Sequence, residues 1–313
     1  MSRIDFHAHL APVLTGEPPS GVARGDGPKL VVDGHPVGPP GLYAADALEA
    51  YLDQRGLDQA VVSPPPPFFR QDLDEAAAAE WVRALNDGVL AAVAGREPLV
   101  ALAYLPLEHP ALAVAELERL RGDDRFAGFC ASAGGRSVSL AAAELAPLWA
   151  QLDADAALLL LHPGASPDPR LEEFYLHNLL GNPVETAVAA AQLVFGDVLP
   201  RHPALRVLLV HCGGCVPDLV PRWDHGVATN RPGLAPLTER PSQAVRRIYV
   251  DCLVHDAGAV DRAVEVFGPD RIVLGSDWPF PMGTDDPAAL VAHRGPEFVE
   301  RVAVDNAAAA LGR

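Results

Sequence analysis

Two histidines one residue apart, His7-Ala8-His9, open the chain. On a β-strand, side chains at i and i+2 share a face. Both imidazoles can therefore point at one spot, although such a pair on its own is equally a polar strand end. Three more ligand-type residues interrupt apolar runs. His162 follows Leu160-Leu161, His211 follows Leu209-Val210, and Asp277 ends Leu274-Gly275-Ser276-Asp277. A buried imidazole or carboxylate without a partner is costly. Five such groups converging on one place are explained together by a divalent metal ion, with four as ligands and one free to handle protons.

That convergence requires elements which end at a common level. Short β-branched or leucine-rich runs followed by turn residues predict eight strands: 3–9, 59–63, 99–105, 126–131, 157–162, 206–211, 248–253 and 271–276. Helical spacing fills the gaps at 44–55, 73–94, 111–121, 140–152, 184–195, 257–267 and 297–311. Nearly all-apolar strands alternating with helices predict an α/β fold, a (β/α)8 barrel formed by residues 1–313 as one domain. An open doubly wound sheet is the alternative; it usually has fewer strands and often a glycine-rich turn after the first, where this chain has histidines. Two excursions stand out. Residues 11–42 contain a hairpin, Leu30–Val32 and His35–Val37 around Asp33-Gly34, and residues 163–182 form a long loop. Both leave C-terminal strand ends, so both are expected to overhang the mouth of the barrel.

Composition narrows the partners. The formal net charge of −17 argues against binding a phosphate backbone, so no nucleic acid is expected. No run of eighteen uncharged apolar residues suggests a membrane span, and the first residues lack a signal-like apolar stretch. A cytoplasmic protein is expected. Four cysteines are too few for a disulfide scaffold, and the single Cys212-Gly213-Gly214-Cys215 is read as coincidence. Lys29 is the only lysine.

The order of the motifs resembles that of the amidohydrolase superfamily, in particular the branch of aminocarboxymuconate-semialdehyde decarboxylase and its relatives. The resemblance is carried by His7-Ala8-His9-Leu10-Ala11-Pro12, His162-Pro163, Leu180 to Thr186, and His211-Cys212-Gly213-Gly214 running on to Pro217, Arg222 and His225-Gly226. It continues through Tyr249 to Asp256, Leu274 to Pro281, and Asp305-Asn306-Ala307. It implies one divalent ion per chain on His7, His9, His162 and Asp277, with zinc expected and manganese the alternative. It also implies His211 as the catalytic acid/base, assisted by Asp277. Arg222 resembles an arginine that reaches a neighbouring subunit's site to hold a substrate carboxylate, which implies a homodimer. A second metal bridged by a carboxylated lysine is excluded, because Phe129-Cys130-Ala131-Ser132 after the fourth strand holds no lysine.

The substrate side departs from that pattern. The stretch His35 to Gly41 lacks the decarboxylase's substrate-binding arginine, and Gly164 stands where it has a tryptophan after His-Pro. Arg70 is read as a surface arginine or as a replacement for that charge. His255 and Trp278 are candidate substrate-facing residues, and His35 and His177 are candidate pocket linings. The expected substrate is a small carboxylate. The leading reading is a metal-dependent non-oxidative decarboxylase of an unsaturated or aromatic carboxylic acid, with His211 delivering a proton to the carbon that loses CO2. The alternative is a mononuclear hydrolase of a lactone, amide or imine, since a metal also lowers the pKa of bound water. A metal-free binding barrel is the third reading, and stoichiometric metal would exclude it.

Overall fold

Each of the eight apolar runs contributes a strand to one parallel sheet in the computed structural model, which describes residues 2–313. In chain order the barrel strands are β1 (Ile4–His9), β5 (Gln59–Ser63), β6 (Leu99–Tyr104), β7 (Phe126–Ala133), β8 (Leu158–Pro163), β9 (Arg206–Leu209), β10 (Tyr249–Asp251) and β11 (Ile272–Val273). Each pairs with the next. The ends of the sheet meet through Phe6 N–H to the Leu274 carbonyl (2.9 Å) and His9 N–H to the Trp278 carbonyl (2.8 Å). The sheet thus closes as a (β/α)8 barrel. β11 is short because the buried Asp5 carboxylate, rather than a strand carbonyl, accepts the Ser276 N–H at 3.1 Å.

Valine, leucine and isoleucine on these strands are almost wholly buried, as expected for strands covered on both faces. The covering helices begin and end where the sequence supplies caps. Asp74 accepts the Ala77 N–H at the start of α2 (Glu75–Val93), and Asp256 accepts the Ala259 N–H at the start of α9 (Ala257–Phe267). Gly56 closes α1 (Ala45–Arg55) at φ 61°. α3 spans Pro110–Leu120 and α5 spans Asn182–Phe195.

Some elements differ from expectation. The helix expected from 140 starts six residues later, as α4 (Ala146–Ala154), after a single 3-10 turn. Pro147 is tolerated in a first turn but not in a helix interior, where its ring would meet a carbonyl one turn back. α7 (Val216–Ala228) was not among the expected helices; it carries Pro217 in its opening turn and accommodates Pro221 inside. The C-terminal helix runs as α11 (Pro296–Glu300), a widened turn, and α12 (Asn306–Leu311). Shorter pieces are α6 (Val198–Arg201), α8 (Pro241–Ala244) and α10 (Pro287–Val291). Among the described residues no helix is long and apolar enough to cross a membrane.

In the first insertion the expected hairpin forms between β3 (Leu30–Val32) and β4 (His35–Pro36), and β2 (Val22–Arg24) adds a third strand. Asp33 and Gly34 both take positive φ, the geometry a two-residue hairpin turn requires. Arg70 anchors this sheet to the barrel. Its guanidinium donates to both Asp33 oxygens (3.0 and 2.7 Å) and to the Ser20 carbonyl (2.9 Å), and lies over the Trp81 ring. Arg70 is buried, so it is neither a surface residue nor a charge in the mouth.

Candidate metal centre

Strand pleat and register bring the ligand-type residues together. β1 delivers His7 and His9 from one face, β8 delivers His162, and the chain beyond β11 delivers Asp277; all four are buried. Each offers one donor atom, and the four atoms lie within 4.8 Å of one another. The Asp277 Oδ1 is 3.4 Å from His7 Nε2 and 3.2 Å from His9 Nε2. Donors about 2.0–2.2 Å from a shared ion, at tetrahedral or octahedral angles, stand about 3.0–3.4 Å apart.

The opposite ring nitrogens are held from outside. His7 Nδ1 lies 2.7 Å from Asp251 Oδ2, His9 Nδ1 3.3 Å from the Ser63 carbonyl and 3.1 Å from its Oγ, and His162 Nδ1 3.0 Å from the Pro163 carbonyl. Carboxylate and carbonyl oxygens only accept, so each Nδ1 carries the hydrogen and each Nε2 lone pair faces inward. His7 Nε2, His9 Nε2 and Asp277 Oδ1 are buried without a hydrogen-bond partner. Inward lone pairs left unpaired are what a bound cation satisfies, so the residues present fit a divalent ion.

The electrostatics agree. Burial holds His162 well below the usual imidazole range, and the neighbouring imidazoles push it the same way. Burial also lowers His9. Burial opposes protonation of His7, but the Asp277 and Asp251 carboxylates outweigh it and raise that ring. Burial alone would raise Asp277; His7, His211 and His9 instead hold it well below the usual carboxylate range, keeping it anionic.

His211 stands beside this set. Its Nε2 is 3.9 Å from Asp277 Oδ2, its ring is one-fifth exposed towards the mouth, and its Nδ1 is buried and unpaired. The turn carrying it is strained, with His211 at φ 54° and Cys212 at φ 55°. Gly213 and Gly214 continue the turn. A Cβ at Gly214 would meet the Pro183 carbonyl at 2.5 Å, so only glycine fits there. Asp251 holds the turn in place, accepting from the backbone N–H of His211 (3.1 Å), Cys212 (2.7 Å) and Leu253 (3.1 Å) as well as from His7. The sequence reading did not single Asp251 out, although it breaks the apolar run Tyr249 to Leu253 as the others break theirs. All four cysteines are free, and Cys212 and Cys215 form no pair.

The mouth opens into two adjoining lobes of about 550 and 380 Å³. His211, Asp277, Asn178, Asn182 and Met282 border both. His255 lines the larger, its Nε2 2.8 Å from the Met282 carbonyl, and His177 lines the smaller. The loop 163–182 contributes walls as expected. Residues 11–42 do not: none of them lines either lobe, and neither His35 nor Lys29 reaches the chemistry. Trp278 is not where a substrate contact was expected. The Trp278–Ala8 bridge turns its indole away from the mouth, against Tyr51 and over Gly41. Arg222 is exposed on α7, lines neither lobe, and makes no ion pair among the described residues.

Known proteins resemble this chain in sequence and in fold. The chain is 29% identical over 245 residues to 2-amino-3-carboxymuconate-6-semialdehyde decarboxylase of Dictyostelium discoideum, covering 77% of this chain and 68% of that one. It is 29% identical over 254 residues to gamma-resorcylate decarboxylase of Rhizobium radiobacter, covering 73% and 75%. The crystal structure of a dihydroxybenzoic acid decarboxylase from Polaromonas sp. JS666, with bound manganese and the inhibitor 2-nitroresorcinol, superimposes with a TM-score of 0.78 at 21% identity, over 99% of this chain and 97% of that one. The family model described as amidohydrolase matches residues 4–313, nearly the whole of the barrel, and the chain belongs to that family.

Proposed function

We propose that this protein is a mononuclear metal-dependent decarboxylase of a small aromatic or unsaturated carboxylic acid. One observation carries the reading: three imidazole nitrogens and a carboxylate oxygen converge, and a fifth group, His211, stands free beside them at the floor of a ligand-sized mouth. The naming of the relatives as decarboxylases supports the same chemistry.

In this proposal His7, His9, His162 and Asp277 hold the ion, which supplies Lewis-acid polarisation of a substrate oxygen. Zinc suits three nitrogens and one carboxylate; manganese is the alternative, and it is the ion in the related Polaromonas structure. His211 donates a proton from Nε2 to the carbon bearing the carboxylate. The bond to the carboxylate then breaks, CO2 leaves, and the bonding pair returns to the ring or double bond. Asp277 Oδ2, on the His211 side of the carboxylate, stabilises the protonated imidazole before transfer. His255 is proposed to contact substrate from the larger lobe. Arg222 is proposed to act from a second subunit; the exposed Leu180, Val184 and Val188 on and before α5, which packs beside α7, support a homodimer there.

The test is CO2 release by metal-loaded enzyme from gamma-resorcylate and a series of hydroxylated benzoates. Release in step with loss of the acid is expected, and His211→Asn should keep the metal yet lose about 10²–10⁴-fold in rate. Product formed without CO2 would instead indicate hydrolysis.

A further inference from the structure

We propose that the smaller lobe is a specificity pocket for a second, flat apolar group, so that the preferred substrate is an acid larger than one ring. The proposal rests on the decarboxylase reading only for where the reacting carboxylate lies. Pockets that hold drug-sized ligands span roughly 300–1,000 Å³. At about 550 and 380 Å³, each lobe reaches that range alone. A single-ring acid anchored at the metal would occupy one lobe and leave the other to water.

The lobes join at the chemistry, because His211 and Asp277 border both, while His162 borders only the smaller. A substituent in the smaller lobe therefore lies against a metal ligand, within reach of a carboxylate held at the junction. Its walls define what it accepts. Pro66, Pro67, Pro163 and Pro281, with Phe280, make up much of the lining. Proline has no N–H to donate and its ring fixes φ, so these walls are apolar and preformed. Apart from Asp277 no Asp, Glu, Lys or Arg lines the lobe, so a second anionic group would find no lysine or arginine to pair with.

A Cβ at Gly164 would lie 2.2 Å from Ser132 Oγ and 2.4 Å from Gln71 Oε1, so a side chain there would have to displace those two groups. Gln71 is itself fixed, donating to Ser137 Oγ at 2.9 Å and accepting from Ser132 Oγ at 3.1 Å. Phe280 is set edge-on to His9, with ring centroids 5.5 Å apart. Ser166, Tyr175, His177, Asn178 and Asn182 add polar side chains from the loop after β8 and the start of α5, and of these Tyr175 and His177 are exposed.

The experiment compares calorimetric binding of benzoate, 3-phenylbenzoate and 4-phenylbenzoate to metal-loaded protein. At least one phenylbenzoate should bind about tenfold or more tightly than benzoate, the scale on which an added apolar group discriminates. Ala165→Trp and Ser166→Trp, at the rim of this lobe, should bring that ratio close to one, with thermal melting confirming that each variant is folded. Equal binding of all three acids by the wild type, or a ratio that survives both substitutions, overturns the proposal. Binding is read without turnover, so a failure to release CO2 sinks the decarboxylase reading and leaves the size preference to stand or fall separately.

Discussion

The Asp251 carboxylate accepts four donors, three of them backbone amides and the fourth the Nδ1–H of His7. It thereby fixes the tautomer of a candidate metal ligand and the position of His211, the proposed proton donor, through one group. Asn in its place has one acceptor oxygen and an NH2 that cannot accept, so at least one of those amides loses its partner. Asp251→Asn should weaken metal affinity by about 10–100-fold, the usual effect of losing a carboxylate behind a ligating histidine. A chelator competition on protein loaded with one equivalent per chain reads this directly, and unchanged retention would show that Asp251 matters only to the fold. Two tightly held ions per chain, or none, would sink the mononuclear assignment itself. The five strand-end residues were legible in the sequence because each breaks an apolar run where a polar group needs a reason. Asp251 carries the same signal but follows no spacing that marks it. Trp278 misled because a residue next to a ligand can still point to the other side of the strand end.

At the scale of elements, alternation of strand and helix was legible because burial on both faces leaves strands no polar alternation to blur. What was not legible depended on distant contacts. Arg70 clamps the hairpin only because Asp33, 37 residues away, folds back onto it. The segment after β6 holds a comparable hidden feature. Burial pushes the Glu108 carboxyl up to about 7, from an ordinary value near 4.5. Its Oε2 and the hydroxyl of the adjacent Tyr104 are both buried without partners. In the folded protein Glu108 therefore binds a proton between about pH 4.5 and 7 that the unfolded chain has released. By linkage, stability falls as pH rises through that window, and the penalty is complete above it. Glu108→Gln cannot ionise and should escape the penalty. Thermal melts should place its Tm above that of wild type at pH 8, with the gap closing towards pH 5. A gap that is constant with pH would mean that the substitution acts by packing rather than through the proton.

On the scale of the whole molecule, the proposed function asks a chain with a net charge of −17 to hold a carboxylate at a site containing its own aspartate. No arginine or lysine lines the smaller lobe, and the one arginine of the larger, Arg262, is engaged by Glu265 at 2.7 Å and lies near Asp218. A bidentate guanidinium is well suited to orienting a carboxylate. Arg222 has no ion pair among the described residues, and it sits on α7 beside α5, near whose start Leu180, Val184 and Val188 stand exposed. A second copy docked on that apolar surface would cover it, and we propose that such a dimer brings Arg222 to the partner's mouth. The expectation is a working unit of at least two chains with Arg222 acting across the interface. Arg222→Ala and His211→Ala subunits, each inactive alone, should recover CO2 release when mixed under conditions of demonstrated exchange. A mixed dimer contains one site with His211 of one chain and Arg222 of the other. Random pairing in equal amounts then restores about a quarter of the wild-type rate, since half the dimers are mixed and half their sites are complete. If exchange is shown and activity stays absent, or if the wild type is fully active as a monomer at enzyme dilutions that dissociate any dimer, Arg222 does not act in trans.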